Sequence, residues 1–142
     1  MKGPSQSPQD NIKQLISRIE PAVKLMDMTL DELSPGYARV SLIVKAEHLN
    51  FHNMAFGGII VSIADHALGY AANSLAYPSV ASQFNIHFLQ GATLGDRLTA
   101  EANVIKSGRK ISVSEVKIYN DRKNLIAIAT GTTVPVKGDV NQ

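Results

Sequence analysis

The chain contains no cysteine. That absence excludes disulfides, thiolate metal sites, iron–sulfur clusters and cysteine nucleophiles together. Charge is also scarce, since Asp, Glu, Lys and Arg make up only 18% of the 142 residues, against about 25% in typical domains. So little charge on a small chain predicts that part of its surface is hidden in a homo-oligomer. Fourteen basic and twelve acidic residues leave a net charge of +2. No basic run stands out, so no nucleic-acid partner is expected. The longest apolar stretch, Phe56 to Ala76, is broken by Ser62, Asp65, His66, Tyr70 and Asn73. Hydrocarbon tolerates such groups poorly, so no membrane span is expected. Met1 to Asp10 is polar, unlike a secretory leader. A cytoplasmic compartment is the expectation. The sequence also lacks a Gly-Xaa-Ser-Xaa-Gly elbow, a P-loop and a dinucleotide fingerprint.

What remains is enough for one core. Hydrophobic residues make up 44%, and a chain of this length buries roughly 68–70% of its unfolded surface. We expect a flexible tail over 1–7, a single domain over 8–137 and a second tail over 138–142. Ser7, Pro8 and Asp10 read as a helix start, with Ile12, Leu15, Ile16 and Ile19 at helical spacing until Pro21 interrupts. Met26 to Leu33 reads as a short strand, and Ser34-Pro35-Gly36 as a turn. Tyr37 to Glu47 alternates, with Ala38, Val40, Leu42, Val44 and Ala46 on one face. Four further strands follow at Val80–Leu89, Arg97–Ile105, Lys110–Tyr119 and Leu125–Val136. The turns Gly95-Asp96, Ser107-Gly108 and Asn120-Asp121 predict that they form an antiparallel meander. A phase change between Val113 and Val116 predicts a bulge. Between the first long strand and the meander lies one helix, Gly57 to about Ala76, apolar almost all round and so expected to be buried. These elements predict an α+β domain: a curved antiparallel sheet wrapped around one long central helix.

That order of elements resembles the hotdog-fold acyl-CoA thioesterases, and more narrowly the phenylacetate-degradation (PaaI-like) family. The family pattern is an Asn, a few residues, His-Gly-Gly, then Leu-Ala-Asp seven residues into the helix. Here Asn50 is followed by Phe56-Gly57-Gly58 and then Ile63-Ala64-Asp65. Tyr70 to Asn73, Val80 to Ser82, Ile86 to Leu89, Gly95-Asp96 and Ser107 to Lys110 match further, so the likeness spans roughly Leu33 to Val136. One position departs, because Phe56 stands where the family has His. His52 is the nearest imidazole before it. The resemblance implies an acyl-CoA substrate, no cofactor beyond the coenzyme A of that substrate, and sites built across dimer interfaces, commonly inside tetramers.

Thioester hydrolysis needs a nucleophile or a base for water, and donors for the oxyanion. Gly57 and Gly58 open the helix, where unpartnered N–H groups and the dipole favour negative charge. A plain loop-to-helix turn would use the same pair. Asp65 lies in an apolar helix, where an acid is costly unless paired, hydrated or neutral. With the resemblance it is the expected base or nucleophile. Gly58 and Asp65 are seven residues apart, about 10.5 Å along the axis. One carbonyl cannot easily reach both on a single helix, so an antiparallel copy across a two-fold axis is expected to complete the site. Asn50 could hold the attacking water or the thioester, or serve as a turn residue. Ser82 could stand near the water, or be an ordinary strand residue. The resemblance implies that Arg109 and Lys110 meet coenzyme A phosphates, although exposed basic residues in hairpins are usually just solvated. Phe56, with Phe51, Met54 and Tyr70, predicts an apolar pocket for a small aryl or medium-chain acyl group. His48, His52, His66 and His87 have no helical metal spacing, so no metal is expected. A non-catalytic acyl-CoA binder is the rival from another class: Phe56 favours it, and Asp65 opposes it.

Overall fold

The structure is a computed structural model, and it describes residues 6–18 and 20–137. Ile19, residues 1–5 of the expected first tail and the expected tail at 138–142 lie outside the described residues. Ser7 caps the first helix, α1 (Pro8–Ile16), its hydroxyl accepting from Asp10 N–H at 3.2 Å. Pro21 does more than interrupt. It opens a second short helix, α2 (Pro21–Met26), because proline's fixed φ suits a first helical position as well as it ends a preceding helix. The strand expected from Met26 therefore begins later, as β1 (Thr29–Ser34), and β2 (Tyr37–Ile43) ends before the expected Glu47. A 3-10 turn at Ala46–His48 takes over, in which His48 Nδ1 accepts from Lys45 N–H at 3.0 Å. The long helix α3 spans Gly57–Leu75, followed by β3 (Ser79–Phe88), β4 (Arg97–Ser107), β5 (Ser112–Tyr119) and β6 (Leu125–Pro135).

The six strands form one antiparallel sheet in the order β1-β2-β4-β5-β6-β3. The expected meander holds for β4, β5 and β6 but not for β3. Passing along α3 carries the chain to the far edge, where β3 pairs with β6, and Gly95-Asp96 does not close a β3–β4 hairpin. The bulge expected in β5 lies instead in β4, where the register shifts between Val104 and Lys106. Strand β5 keeps its phase because Ser112 and Ser114, not Val113, take the buried positions. Small hydroxyls fit there because α3 lies close: a Cβ on Gly131, the partner of Ser114, would collide with the Leu68 side chain.

Alanine makes that close approach possible. Ala100, Ala102, Ala127 and Ala129 are essentially inaccessible on the sheet, facing Ile63, Ala64, Ala67, Leu68 and Ala71 of the helix. The helix is not buried on every side, contrary to the expectation from its composition. Ile60, Ile63, Ala64, Ala67, Leu68 and Ala71 are buried, while Gly58, Ser62 and Gly69 are half-open and Asp65 is exposed. That open face positions the candidate site.

Candidate active site

The site begins where the chain enters α3. Phe56 is the residue before the helix, and no side chain caps this end, so helix geometry leaves the first-turn N–H groups of Gly57 and Gly58 without a backbone partner. Aromatic rings flank both glycines. A Cβ on Gly57 would lie 3.4 Å from the tip of Phe88, and one on Gly58 would lie 2.5 Å from Cε1 of Phe56. Glycine is needed at position 58 because the Phe56 ring rests on it. Both rings are more than half exposed, which leaves apolar surface at the lip of the site. An open groove of about 300 Å³ runs past Gly57, walled by Met54, Ala55, Ile60, Phe88 and Leu89. Phe56 does not line this groove; its contact is with Gly58. Phe88 is the wall residue the sequence did not reveal, since as a strand phenylalanine it carried no signal beyond its face.

Asp65 lies two turns further along α3. Seven residues at 100° each bring it to within about 20° of Gly58 around the helix, so the two share one face, about 10.5 Å apart. The carboxylate is exposed in the single chain, yet enough protein surrounds it that desolvation pushes its pKa above the ordinary carboxylate value. A raised pKa makes a stronger base. One chain does not bring Asp65 and the Gly58 N–H to a common carbonyl.

Asn50 folds its own loop. Its Oδ1 accepts from the N–H groups of His52 (2.8 Å) and Met54 (3.2 Å), and its backbone pairs with Met54. The turn role is therefore real, and it occupies the oxygen. Only Nδ2 remains to act outward, so toward a substrate Asn50 can donate but not accept. His52 is exposed at the same loop, its ring 4.3 Å from Phe51. Ser82 sits at a register shift between Ala81 and Gln83 in β3, the kind of bulge that re-aims a side chain. Its hydroxyl makes only a 3.4 Å contact to the Thr132 carbonyl and is exposed. Arg109 and Lys110 are exposed on the β4–β5 hairpin, and among the described residues neither forms an ion pair. Register places this hairpin at the same end of the sheet as Ser112, Thr133 and Ala81. That is the end reached by the C-terminus of α3, away from its own Gly57. The four histidines stay apart, and among the described residues no three His, Asp or Glu side chains gather as a metal site.

One cluster escaped the sequence reading. His66, beside Asp65, turns its Nδ1 to within 3.4 Å of Glu20 Oε2, and its ring meets Tyr70 edge-on with centroids 4.5 Å apart. Burial pushes the imidazole down to about 4, so it is neutral near pH 7. Burial and the charge of Asp65 both push Glu20 up. Glu20 lies 46 positions from His66, and no local pattern links residues so far apart.

Comparison with known proteins accounts for this arrangement. A thioesterase superfamily model matches residues 52–127, just over half of the chain. The acyl-coenzyme A thioesterase PaaI of Escherichia coli is 33% identical over 82% of this chain and 84% of that protein. A putative esterase of Archaeoglobus fulgidus is 35% identical over 92% and 84% respectively. The solved structure of the E. coli PaaI protein, from the phenylacetic acid degradation operon, superimposes with a TM-score of 0.86 at 30% identity, covering 92% of this chain and 94% of that one. With a six-stranded antiparallel sheet around one long helix, and with glycines and an aspartate on that helix, the chain belongs to the thioesterase superfamily as a PaaI-like hotdog-fold thioester hydrolase.

Proposed function

We propose that the chain hydrolyses acyl-coenzyme A thioesters at sites shared between two antiparallel copies of α3. The observation that carries this reading is the placement of Gly58 and Asp65 on one open helix face, too far apart to serve the same carbonyl. An antiparallel copy sets Asp65 of one chain opposite Gly58 of the other and covers the half-open residues between them. The far edge of the sheet supports a two-fold assembly. Strand β3 is ten residues long and paired on one side only, and a long free edge is a liability unless something covers it. Scarce charge points the same way, toward a homo-oligomer.

In this arrangement the Gly58 N–H, helped by Gly57 and the helix dipole, holds the oxyanion that forms on the thioester carbonyl. Asp65 either takes a proton from the attacking water or attacks the carbonyl carbon itself. The carbon–sulfur bond then breaks, and the coenzyme A thiolate leaves. Asn50 Nδ2 donates to the carbonyl or to the water, and the Ser82 hydroxyl stands at the bulge to orient that water. The antiparallel relation also brings the Arg109–Lys110 hairpin of one copy toward the Gly57 end of the other, where coenzyme A phosphates would meet it. The groove past Gly57 is apolar and about 300 Å³, suited to a small aryl or medium-chain acyl group, with the Phe56 ring at its lip.

The test is thiol release from a panel of acyl-CoAs by wild type and Asp65→Asn. We expect turnover in wild type and a loss of at least about 10²-fold in kcat for the variant, with the fold intact. Equal turnover in the two would remove Asp65 from the mechanism. Measurable acyl-CoA affinity without turnover in wild type would overturn the hydrolytic reading of this site.

A further inference from the structure

The segment before β1 does more than precede the domain. Asn11 of α1 is buried against α3 and donates Nδ2 to the Ser74 carbonyl at 3.0 Å. Further along, Glu20 reaches the middle of α3 at His66. The N-terminal helices thus run beside the open face of α3. The His66 side chain is nine-tenths buried, and its Nε2 has no partner while Nδ1 faces the Glu20 carboxylate. The titratable groups that meet here are Asp65, His66 and Tyr70 from α3 and Glu20 from the N-terminal segment. Among the described residues, none of the four makes another ion pair.

We propose that Glu20 is a positioning residue of the thioesterase site: a second carboxylate, anchored on His66, that acts through Asp65 by making it a better proton acceptor. The inference rests on the reading of Asp65 as the reacting carboxylate. Its physical basis is that a like charge nearby disfavours ionisation of both partners. The choice of anchor matters. A lysine or arginine would hold Glu20 but cancel its charge. A buried imidazole that stays neutral near pH 7 holds the carboxylate and leaves the charge in place. Adding a proton to Asp65 during the reaction then relieves the repulsion. Glu20 is the member whose proton affinity is raised by both burial and its neighbour, so it takes the first proton as the pH falls. Once it does, Asp65 becomes the weaker base it would be alone. Coupled groups of this kind titrate as a pair, in two steps.

The experiment measures kcat/KM against pH for wild type, Glu20→Gln and Glu20→Asp, and follows the carboxyl-carbon NMR titration of Glu20 in wild type and Asp65→Asn. We expect Glu20→Gln to lose about three- to tenfold near neutral pH and to reduce the acid limb from two steps to one, while Glu20→Asp keeps the two-step form. In Asp65→Asn the Glu20 midpoint should fall. A Glu20→Gln profile that parallels wild type at every pH, scaled by a constant factor, would reduce Glu20 to a structural role and overturn the proposal. An unchanged Glu20 midpoint in Asp65→Asn would overturn it as well. The failure of Asp65 as reacting group would show separately, as undiminished turnover in Asp65→Asn.

Discussion

The two faces of α3 obey opposite rules although they belong to one nineteen-residue helix. On the sheet side Ile63, Ala64, Ala67, Leu68 and Ala71 are sealed against alanines of β4 and β6. On the other side Gly58, Ser62, Asp65 and Gly69 form a stripe that the single chain leaves open. The first face holds the fold together through close packing. The second carries an acid, two small gaps and little apolar bulk, so it contributes chemistry rather than stability. A helix whose composition reads as apolar all round can thus have one face made for its own chain and another made for a second copy.

The sheet face should give the larger stability effect. Leu68 is fully buried above Gly131, so Leu68→Ala should cost about 2–5 kcal/mol, read from urea unfolding at fixed protein concentration. A loss below about 1 kcal/mol would mean that the helix is held mainly from the other side.

Acid should act next, through the edge between the two faces. His66 has its folded pKa lowered to about 4, while its unfolded value is near 6.5. Between those values the unfolded chain binds more protons, so stability falls as the pH drops through that window, by about 3 kcal/mol at most. Asp65 and Glu20 have raised folded pKa values and act in the opposite sense: the folded chain binds their protons first, which offsets part of the loss. Unfolding midpoints at pH 7, 6 and 5 should fall more steeply for wild type than for His66→Asn. Equal slopes would mean that the imidazole is solvated.

A pair of glycines separates the faces most sharply. A Cβ at Gly131 collides with Leu68 and approaches the Gln83 carbonyl at 3.3 Å, whereas one at Gly69 meets nothing within 4 Å. Gly131→Ala should therefore destabilise by about 1–3 kcal/mol. Gly69→Ala should stabilise by about 0.5–1 kcal/mol, the usual cost of a mid-helix glycine. If Gly69→Ala also destabilises, a second copy already packs at that position.

The sequence carried the long elements and the position of Gly58 relative to Asp65, because helical and strand periods are local and the Gly57-Gly58 to Asp65 spacing converts directly into geometry. It misjudged elements whose fate is decided by distant partners. Strand β3 read as the start of a meander, yet it pairs with the last strand, and nothing near Val80 states that choice. Strand β5 read as bulged because Ser112 and Ser114 are polar, whereas the closeness of α3 makes small hydroxyls suitable in the core. Pro21 read only as a stop. Asn50 was legible as a site residue, but not that its oxygen is already occupied by two loop N–H groups. Glu20 was invisible, since its contact with His66 exists only after α1 and α2 have folded along α3.

The central claim is that one working site takes Gly58 from one chain and Asp65 from another. It is tested most directly by refolding Asp65→Asn subunits together with Gly58→Val subunits and measuring acyl-CoA thiol release. Each parent alone should be nearly inactive. Random mixing makes half of the dimers hybrids, each with one intact site, so the mixture should recover about a quarter of wild-type turnover. A mixture no more active than its parents would contradict the account, because it would mean that Gly58 and Asp65 of the same chain serve the same substrate.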